Sequence, residues 1–412
     1  MSGRTDGLLK ATLTLLAGGA LAQALPLLLG PWLTRLYRPE EFGHYTLFAA
    51  LVANLAVVAC ARYDFALPLA TDAEQARDLL ALCVRVLVGV TLLSVPLAWA
   101  AGAWFDLALW AWVPLAVLVA GGVQCLTMWA TRAQSFRRLS VSRVTQYGGA
   151  ALVQVAGGLA QAGTVGLVAG PVVAGAAAAA SLAGPAPAGG WPGLWHVPRA
   201  TLATVARRFR EFPLLNTPHA FAGALQDTLA VALLVAWTGE AAAGFWGLAL
   251  RYLKAPATLV GGAVSQALYP KLAQASPEEA RHAVRRVMTW LACLAVPLVV
   301  VLMAAGPALF AWLFGEPWRP AGELARALAP YIGVHFIAAP LAVVTLAWRA
   351  QAWALKFSLV GQAMFLAALA AGLHLGGLLA GAWAVSAAML LYFGTYFWCL
   401  ATWKEVPHAA VA

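Results

Sequence analysis

The chain has 412 residues, of which 62% are hydrophobic and 10% are charged, and its mean hydropathy is +0.79. Soluble domains carry about 25% charged residues, so this composition excludes a soluble protein and indicates a chain that crosses a membrane several times. The formal net charge of +10 does not indicate a nucleic-acid partner, because the Lys and Arg residues lie at the ends of apolar segments.

Twelve apolar segments are predicted to span the membrane, which is about as many as the length allows at roughly 20 residues per helix. The expected fold class is an all-α polytopic membrane protein. None of the connections is long and polar enough to form a soluble domain. The predicted spans are 8–34, 42–66, 78–103, 108–131, 144–162, 164–183, 213–237, 243–270, 284–305, 323–347, 353–373 and 376–402.

The basic residues predict the orientation of the chain. When the connections are assigned alternately to the two sides, twenty Lys and Arg residues fall on the side of the N-terminus and four on the other side. Basic residues collect on the cytoplasmic side of a membrane protein, so both termini are predicted to be cytoplasmic. The two remaining cations, Arg251 and Lys254, lie inside a predicted span.

The first two spans each carry small and polar residues along one face, including Gln23 in the first and Asn54 in the second. Small residues let helices pack closely, whereas the amides favour a wet lining, and both interpretations stay open. Arg35, at the periplasmic end of the first span, is either an exit-side anion contact or an interfacial anchor. Arg62 and Asp64, at the cytoplasmic end of the second span, either pair locally at the rim or place a cation on the polar face.

The longest connection, residues 185–212, is predicted to separate two halves. Its first part is rich in Gly and Pro, and its second part has the pattern of a basic amphipathic helix on the cytoplasmic surface. We therefore predict an N-terminal six-helix bundle over 1–184, a cytoplasmic linker over 185–212, and a C-terminal six-helix bundle over 213–412.

A weak internal repeat supports this division. The stretch 42–45 (FGHY) corresponds to 243–246 (AGFW), and 74–77 (EQAR) corresponds to 278–281 (EEAR), at offsets of 201 and 204 residues. Six spans separate equivalent points, so the halves should have the same orientation. Such a repeat predicts a pseudo-two-fold axis along the membrane normal and a cavity between the halves.

The seventh span has a small-residue face that carries Asn216 and Asp227, and Asp227 is the one acidic residue well inside a predicted span. Three interpretations of this carboxylate are open. It neutralises Arg251 or Lys254 on the next span, it binds a coupling proton or cation because a buried acid beside a cation can change its protonation, or it faces water near the cytoplasmic end.

The eighth span combines an apolar sequence with two cations. Arg251 and Lys254 are three residues apart and therefore lie on one helix face, together with Thr258. A charge at the bilayer centre costs roughly 2.5–3.5 kcal/mol on insertion scales, which favours a face that lines a wet cavity or meets an anionic partner. Alternatively, both side chains reach an interface, or one pairs with an acidic residue nearby.

Sequence patterns of catalysis and metal binding are missing. The chain has no DxD, HExxH, GxSxG or P-loop motif, and its seven His residues are dispersed. Single cysteines in apolar segments are typical of small core residues rather than of disulfides or metal ligands, and this applies to Cys60, Cys83, Cys125, Cys293 and Cys399. We expect no enzymatic activity, no cofactor and no metal site.

Several motifs resemble a known transporter family. These are GPWLTRLYRPEEFGHYTLF at 30–48, ARYDFALPLA at 61–70, ARRFREFPLLNTP at 206–218 and GFWGLALRYLKAPATLVGGAVSQALYPKLA at 244–273. Together they resemble the polysaccharide-exporter branch of the MOP superfamily, and more narrowly the Wzx-type flippases of O-antigen and other lipid-linked oligosaccharides. The RLYxPEEFG pattern is the most specific of them, whereas the Gly/Ala-rich region 150–195 adds almost nothing.

This resemblance implies two six-helix bundles that form a V around a central cavity. It also implies a bacterial inner-membrane protein that moves an undecaprenyl-diphosphate-linked oligosaccharide from the cytoplasmic to the periplasmic leaflet by alternating access. The cations Arg251, Lys254, Arg62 and Arg35 would contact the diphosphate, and Gln23, Asn54, Asn216 and Thr258 would line a polar cavity. Candidate partners are a coupling ion, H⁺ or Na⁺, membrane lipids and other polysaccharide-assembly proteins.

Two alternatives stay open on the sequence. The first is another transporter of the same fold, either a lipid II flippase-like protein or a multidrug exporter that works by cation antiport. A multidrug exporter would favour acidic rather than basic cavity walls. The second is a membrane glycan polymerase or ligase. Such an enzyme commonly has a large periplasmic loop with basic residues, and the sequence has no such loop.

Overall fold

The structure is a computed structural model that describes residues 2–105, 109–184 and 186–403. Residues 404–412 and Met1, which the sequence assigns to cytoplasmic termini, lie outside this part of the chain, as does residue 185 of the predicted linker. The described chain is almost entirely helical and contains no β-strand in these ranges. It divides between Thr228 and Leu229 into two compact units, whereas the six-helix bundles over 1–184 and 213–412 stay a prediction.

The first unit begins with six long helices, followed by two short ones. Apolar residues separated by few charges favour these long helices, and their buried faces form several clusters. One cluster joins the third, fourth and eighth helices to the connection between the second and the third. The helices are α1 (Ser2–Leu36), α2 (Pro39–Val58), α3 (Ala73–Phe105), α4 (Trp112–Arg132), α5 (Phe136–Leu159), α6 (Thr164–Leu182), α7 (Gly190–Gly193) and α8 (Arg199–Arg208), and α9 (Thr217–Thr238) contains the division point.

The RLYRPEEFG motif forms the turn between α1 and α2. Pro39 is the first residue of α2, where a missing N–H costs nothing, and the Glu41 carboxylate accepts a hydrogen bond from the Arg38 backbone N–H at 2.7 Å. The Tyr37 hydroxyl donates to the Gln154 carbonyl of α5 at 2.6 Å. The motif therefore both starts α2 and fixes the end of α1 against α5.

Close backbone approach surrounds that tyrosine. A Cβ added to Gly157 of α5 would lie 2.7 Å from the Gly166 Cα of α6, and one added to Gly166 would lie 2.5 Å from the Tyr37 hydroxyl. Small residues at these positions allow α5 and α6 to pack closely. The Gly/Ala-rich region, which contributes almost nothing to the family resemblance, thus has a clear packing role.

The connection between α2 and α3 corrects the predicted second span, which was placed over 42–66. Helix α2 ends at Val58, because Ala61 and Arg62 adopt left-handed backbone angles (φ of 46° and 60°). These angles break an α-helix of L-residues. A short 3₁₀ helix, Tyr63–Leu69, follows and packs against α3 and α4.

The mid-chain segment that contains α7 and α8 packs against α3. Leu194, Val197, Leu202 and Val205 are buried in the same apolar cluster as α3. The Arg85 guanidinium donates to the carbonyls of Trp195 and Val197, both at 2.9 Å, and to that of Leu194 at 3.5 Å. The segment is therefore a folded part of the first unit.

Replacing Arg85 with alanine is expected to release residues 190–205 from α3. Hydrogen bonds that involve a charged group contribute about 1.5–3 kcal/mol, which corresponds to a roughly 10- to 100-fold loss of amide-exchange protection in this segment. Hydrogen-exchange mass spectrometry measures the change. Arg199→Ala, at an exposed position of α8, is the control. Unchanged exchange in the Arg85→Ala variant would show that the apolar contacts alone hold the segment.

The second unit contains α10 (Glu240–Gln274), α11 (Pro277–Phe314), α12 (Arg319–Ala347) and α13 (Gln351–Thr402). Helix α11 has a capping box: the Ser276 N–H donates to the Glu279 carboxylate at 2.9 Å, and the Glu279 N–H donates to the Ser276 hydroxyl at 3.4 Å. The starts of α10 and α11 follow those of α2 and α3 by 201 and 204 residues, as the repeat in the sequence predicts.

Helix α13 consists of two helices. Gly376 and Gly377 have non-helical backbone angles, and Gly377 has a φ of 72°, a left-handed conformation that glycine adopts without a Cβ penalty. A Cβ added to Gly372 would lie 2.6 Å from the Ala380 carbonyl oxygen, so the two parts pack closely beside the turn. This is the division between the last two predicted spans.

Eight helices in the described part of the chain are long and apolar enough to cross a membrane. They include α2, α3, α4, α6 and most of α9 in chain order, and then α11, α12 and α13. Helix α10, which carries Arg251 and Lys254, is 35 residues long but is not among these eight helices. The all-α, multi-pass architecture expected from the sequence is confirmed.

Candidate functional site

The cationic face of α10 lies in the second unit. Arg251 and Lys254 are both half-buried and three residues apart on a continuous helix. The Lys254 ammonium interacts electrostatically with His335 of α12, and the His335 ring lies 5.7 Å from the ring of Tyr331. Thr258 is exposed, and its hydroxyl donates to the Lys254 carbonyl at 3.0 Å.

Further along the same face, α10 packs against α12. The Ser265 hydroxyl donates to the Pro340 carbonyl at 3.0 Å, and a Cβ added to Gly261 would lie 3.8 Å from the Pro340 ring. The part of this face with Gly261 and Ser265 therefore serves helix packing, while the part with Arg251 and Lys254 stays partly accessible.

The polar candidates of the first unit differ in exposure. Gln23, Asn216, Asp227 and Arg35 are exposed, whereas Asn54 is buried. The Asn54 Nδ2 atom is buried and has no hydrogen-bond partner among the described residues. Asp227 belongs to the first unit and Arg251 to the second, so the pairing of the two stays a prediction.

Two of the sequence candidates meet at the corner after α2. Arg62 is half-buried, and its guanidinium carbon lies 4.9 Å from the centroid of the Phe65 ring. Asp64 is completely buried, and its Oδ2 atom accepts a hydrogen bond from the Gln124 amide of α4 at 2.9 Å. The Oδ1 atom of Asp64 is also buried and finds no partner in the described ranges.

Three cysteines converge beside this corner. Cys60, Cys83 and Cys125 are free and buried, and they lie close enough for their thiols to interact with one another. They come from the α2–α3 connection, α3 and α4, so their single occurrences in the sequence gave no signal of the contact. Within the described residues no group of His, Cys, Asp and Glu has the geometry of a metal site.

The pKa of Asp64 is raised from 3.8 to about 6. Burial is the largest cause, and Cys60 raises it further, while the Gln124 amide, Arg62 and a backbone hydrogen bond lower it. Ionisation of a buried carboxyl group costs free energy when few hydrogen-bond donors surround it. Asp64 lies in the connection, outside the candidate spans.

Stability is expected to fall as the pH rises through the pKa of Asp64. The folded protein holds this proton more tightly than the unfolded chain does, so the contribution is fully present below the ordinary pKa and is lost above the folded one. A shift from 3.8 to about 6 corresponds to about 3 kcal/mol at roughly 1.4 kcal/mol per pKa unit.

Chemical unfolding in detergent micelles, from about pH 4 to about pH 7, measures this dependence. Asp64→Asn should flatten it and be the more stable protein at neutral pH, whereas Glu74→Gln, which removes an exposed carboxylate, should keep it. An Asp64→Asn variant with the slope of the unmodified protein would show that other groups cause the dependence.

A separate cavity of about 450 Å³ lies at the α1–α2 turn of the first unit. It is lined by Leu36, Tyr37, Arg38, Glu40, Glu41, Gly158, Gln161 and Gly163. Arg35, the neighbouring candidate cation, is not part of the lining. The charges that line the cavity are thus one guanidinium and two carboxylates, which does not suit an anion.

Comparisons with known proteins identify a family and a fold. A family model described as "Polysaccharide biosynthesis protein" matches residues 32–323. A search of curated protein sequences finds no match. Solved structures match over nearly the whole chain.

Three of these structures show the range of the likeness. A multidrug resistance MATE family transporter of the MOP superfamily, in an inward-facing conformation, has a TM-score of 0.64 at 12% identity, with 94% of this chain and 96% of that chain covered. The lipid II flippase MurJ has a TM-score of 0.67 at 10% identity, with 93% of this chain and 89% of that chain covered. A MOP superfamily transporter from Pyrococcus furiosus, described as having a binding pocket of reverse polarity, has a TM-score of 0.59 at 14% identity, with 95% of this chain and 94% of that chain covered. These likenesses show the fold of the MOP superfamily.

Proposed function

Because the chain belongs to the polysaccharide biosynthesis protein family and has the fold of MOP superfamily transporters, we propose that it is a lipid-linked oligosaccharide flippase. The substrate is an undecaprenyl-diphosphate-linked repeat unit of an O-antigen or exopolysaccharide. The protein moves it from the cytoplasmic to the periplasmic leaflet of a bacterial inner membrane, with both of its own termini in the cytoplasm.

The observation that carries this proposal is the cationic face of α10. Arg251 and Lys254 are half-buried on an otherwise apolar helix, and two such charges are costly within a bilayer unless an anion or water compensates them. A diphosphate compensates both at once. A guanidinium binds phosphate oxygens in pairs, and an ammonium binds as a compact point charge.

His335 extends this binding face onto α12. It lies close enough to Lys254 for an electrostatic interaction, and its ring also packs against Phe393 of α13 at 6.2 Å. The imidazole supplies a hydrogen-bonding group beside the cations, and the surrounding rings give the apolar and aromatic contacts that sugar faces prefer. Arg62 and Arg35 stay secondary candidates for contacts with the headgroup.

Transport requires no covalent chemistry in this proposal. The diphosphate and sugars are bound on one side of the membrane, the two units change their relative arrangement by alternating access, and the headgroup is released on the other side. An ion gradient supplies the free energy, and Asp227 is the sequence-based candidate for ion coupling or charge pairing.

A second candidate function is that of another transporter of the same fold. Lipid II also contains a diphosphate, so the α10 cations suit a lipid II flippase as well, and MurJ shares the fold. A multidrug exporter of cationic compounds fits less well, since the two charged groups in the middle of α10, Arg251 and Lys254, are basic.

Complementation in a bacterial strain without its own flippase separates these functions. The chain is expressed in a strain that makes a defined lipid-linked oligosaccharide, and surface glycan is quantified. Restored surface glycan supports the proposal. Rescue of a strain depleted of lipid II flippase, without glycan export, would favour the second function, and rescue of neither would contradict both.

A further inference from the structure

We propose that Asp64 is a proton-binding site, that its protonation changes the conformation of the connection between α2 and α3, and that this change couples proton movement to transport. The coupling role rests on the proposed transport function. Proton binding concerns the folded protein alone and is tested without any substrate.

The carboxyl group has the surroundings of a group that exchanges a proton. Asp64 is completely buried, and the Gln124 amide donates to one of its oxygens at 2.9 Å. The other oxygen is buried and has no partner among the described residues. A carboxylate accepts several hydrogen bonds when ionised, whereas a protonated carboxyl leaves one oxygen as an O–H donor. With the Gln124 amide as the side-chain donor, burial outweighs the hydrogen bonds to this carboxyl group and favours the protonated form.

Few charged or titratable groups face Asp64. Cys60 and Arg62 come from its own connection, and Cys125 and the neutral Gln124 come from α4. Cys83 of α3 contacts the other two thiols. The segment Phe212–Asn216, which packs against the 3₁₀ helix, contains no titratable residue. Arg62 is the permanent charge among these groups.

The backbone beside Asp64 is held in a strained conformation. Ala61 and Arg62 both have positive φ angles, which residues with a Cβ adopt at a cost, and which persist where surrounding contacts enforce them. An ionised Asp64 attracts the Arg62 guanidinium. Protonation removes this attraction, while the Phe65 ring centroid still lies 4.9 Å from the guanidinium carbon, so protonation changes the interactions of a strained residue.

Burial moves the titration of Asp64 toward neutral pH. Its pKa is raised to about 6, so its charge changes with modest changes of pH around that value. Exposed carboxylates of the same unit, such as Glu74, have no comparable enclosure.

Proton binding is tested on the purified full-length protein in nanodiscs without substrate. Infrared spectroscopy should show a protonated-carboxyl band that titrates near pH 6 in the unmodified protein, in line with the raised pKa. The band should persist in Glu74→Gln and vanish in Asp64→Asn. Hydrogen-exchange protection of residues 59–66, corrected for the pH dependence of the intrinsic exchange rate, should change with pH in the unmodified protein and in Glu74→Gln and stay constant in Asp64→Asn. A band that survives in Asp64→Asn, or protection that follows pH in that variant, overturns the proposal.

Coupling is tested in proteoliposomes with a lipid-linked oligosaccharide and an imposed pH gradient. The gradient should stimulate transport by the unmodified protein and by Glu74→Gln, and Asp64→Asn should lose the stimulation while keeping transport without a gradient. Full stimulation in Asp64→Asn overturns the coupling role, even if the carboxyl titrates. If none of the proteins transports the lipid, the proposed function fails, and the infrared and exchange results still decide whether Asp64 is the proton-binding switch.

Discussion

Replacing Arg251 with alanine is expected to reduce export of lipid-linked oligosaccharide by about 10- to 100-fold without reducing the amount of protein in the membrane. The half-buried guanidinium is proposed to bind the diphosphate. A hydrogen bond with a charged group contributes about 1.5–3 kcal/mol, and each 1.4 kcal/mol corresponds to about tenfold in binding. Lys254→Ala should reduce export in the same direction, and the double variant should abolish it.

The matched control is Lys356→Ala, which removes an exposed cation from α13 of the same unit. Surface glycan is quantified in the complemented strain, and membrane protein is measured by immunoblot. Arg251→Lys keeps the charge but loses the paired donors, so it should retain part of the activity. Normal export by Arg251→Ala would remove the main support for an anionic headgroup site on α10.

Replacing Gly157 with leucine is expected to disrupt the packing of α5 on α6. Even a Cβ at this position would lie 2.7 Å from the Gly166 Cα, and a clash with backbone cannot be relieved by rotating a side chain. Overpacking typically costs about 1–3 kcal/mol, and we expect the upper end or more, because α6 must move away from Tyr37. The melting temperature in detergent and the yield of folded protein should both fall.

Gly122→Leu is the control for that substitution. Gly122 lies in α4 of the same unit and has open space around an added Cβ. If both variants are equally stable, the α5–α6 contact is less close than the structure indicates. Gly166→Leu should behave like Gly157→Leu, since its Cβ would meet the Tyr37 hydroxyl.

The ends of several helices depend on residues that lie within a few positions of them. Pro39 with Glu41, and Ser276 with Glu279, begin α2 and α11 because a capping residue satisfies the free N–H groups of the first turn. Gly376 and Gly377 divide α13 because glycine adopts the turn conformation freely. The cationic face of α10 follows from the i, i+3 spacing on an uninterrupted helix.

Features that depend on distant contacts could not be predicted. Helix α2 ends early because Ala61 and Arg62 take left-handed angles, and neither residue type signals this conformation. Arg85 holds carbonyls about 110 residues away, and His335 comes to Lys254 through the packing of α10 on α12. The convergence of three cysteines from separate elements has the same origin.

The structure places Asp64 and Asp227 in surroundings that the sequence did not predict. From the sequence, a local pair at the rim was one of two interpretations of Arg62 and Asp64, and Asp227 was a candidate for ion coupling or for charge pairing. In the structure Asp64 is completely buried and Asp227 is exposed. Burial rather than position within an apolar segment determines which carboxylate is costly to ionise, and burial is a tertiary property.

The central claim, that the protein moves a lipid-linked oligosaccharide across a bilayer, is tested most directly with purified protein in liposomes. A fluorescent undecaprenyl-diphosphate oligosaccharide is placed in both leaflets, and a glycosidase added outside cleaves what it can reach. With the protein present, cleavage should proceed well beyond the outer-leaflet half, and with the Arg251→Ala, Lys254→Ala double variant it should stop near half. Cleavage that stops near half with the unmodified protein as well would contradict the account.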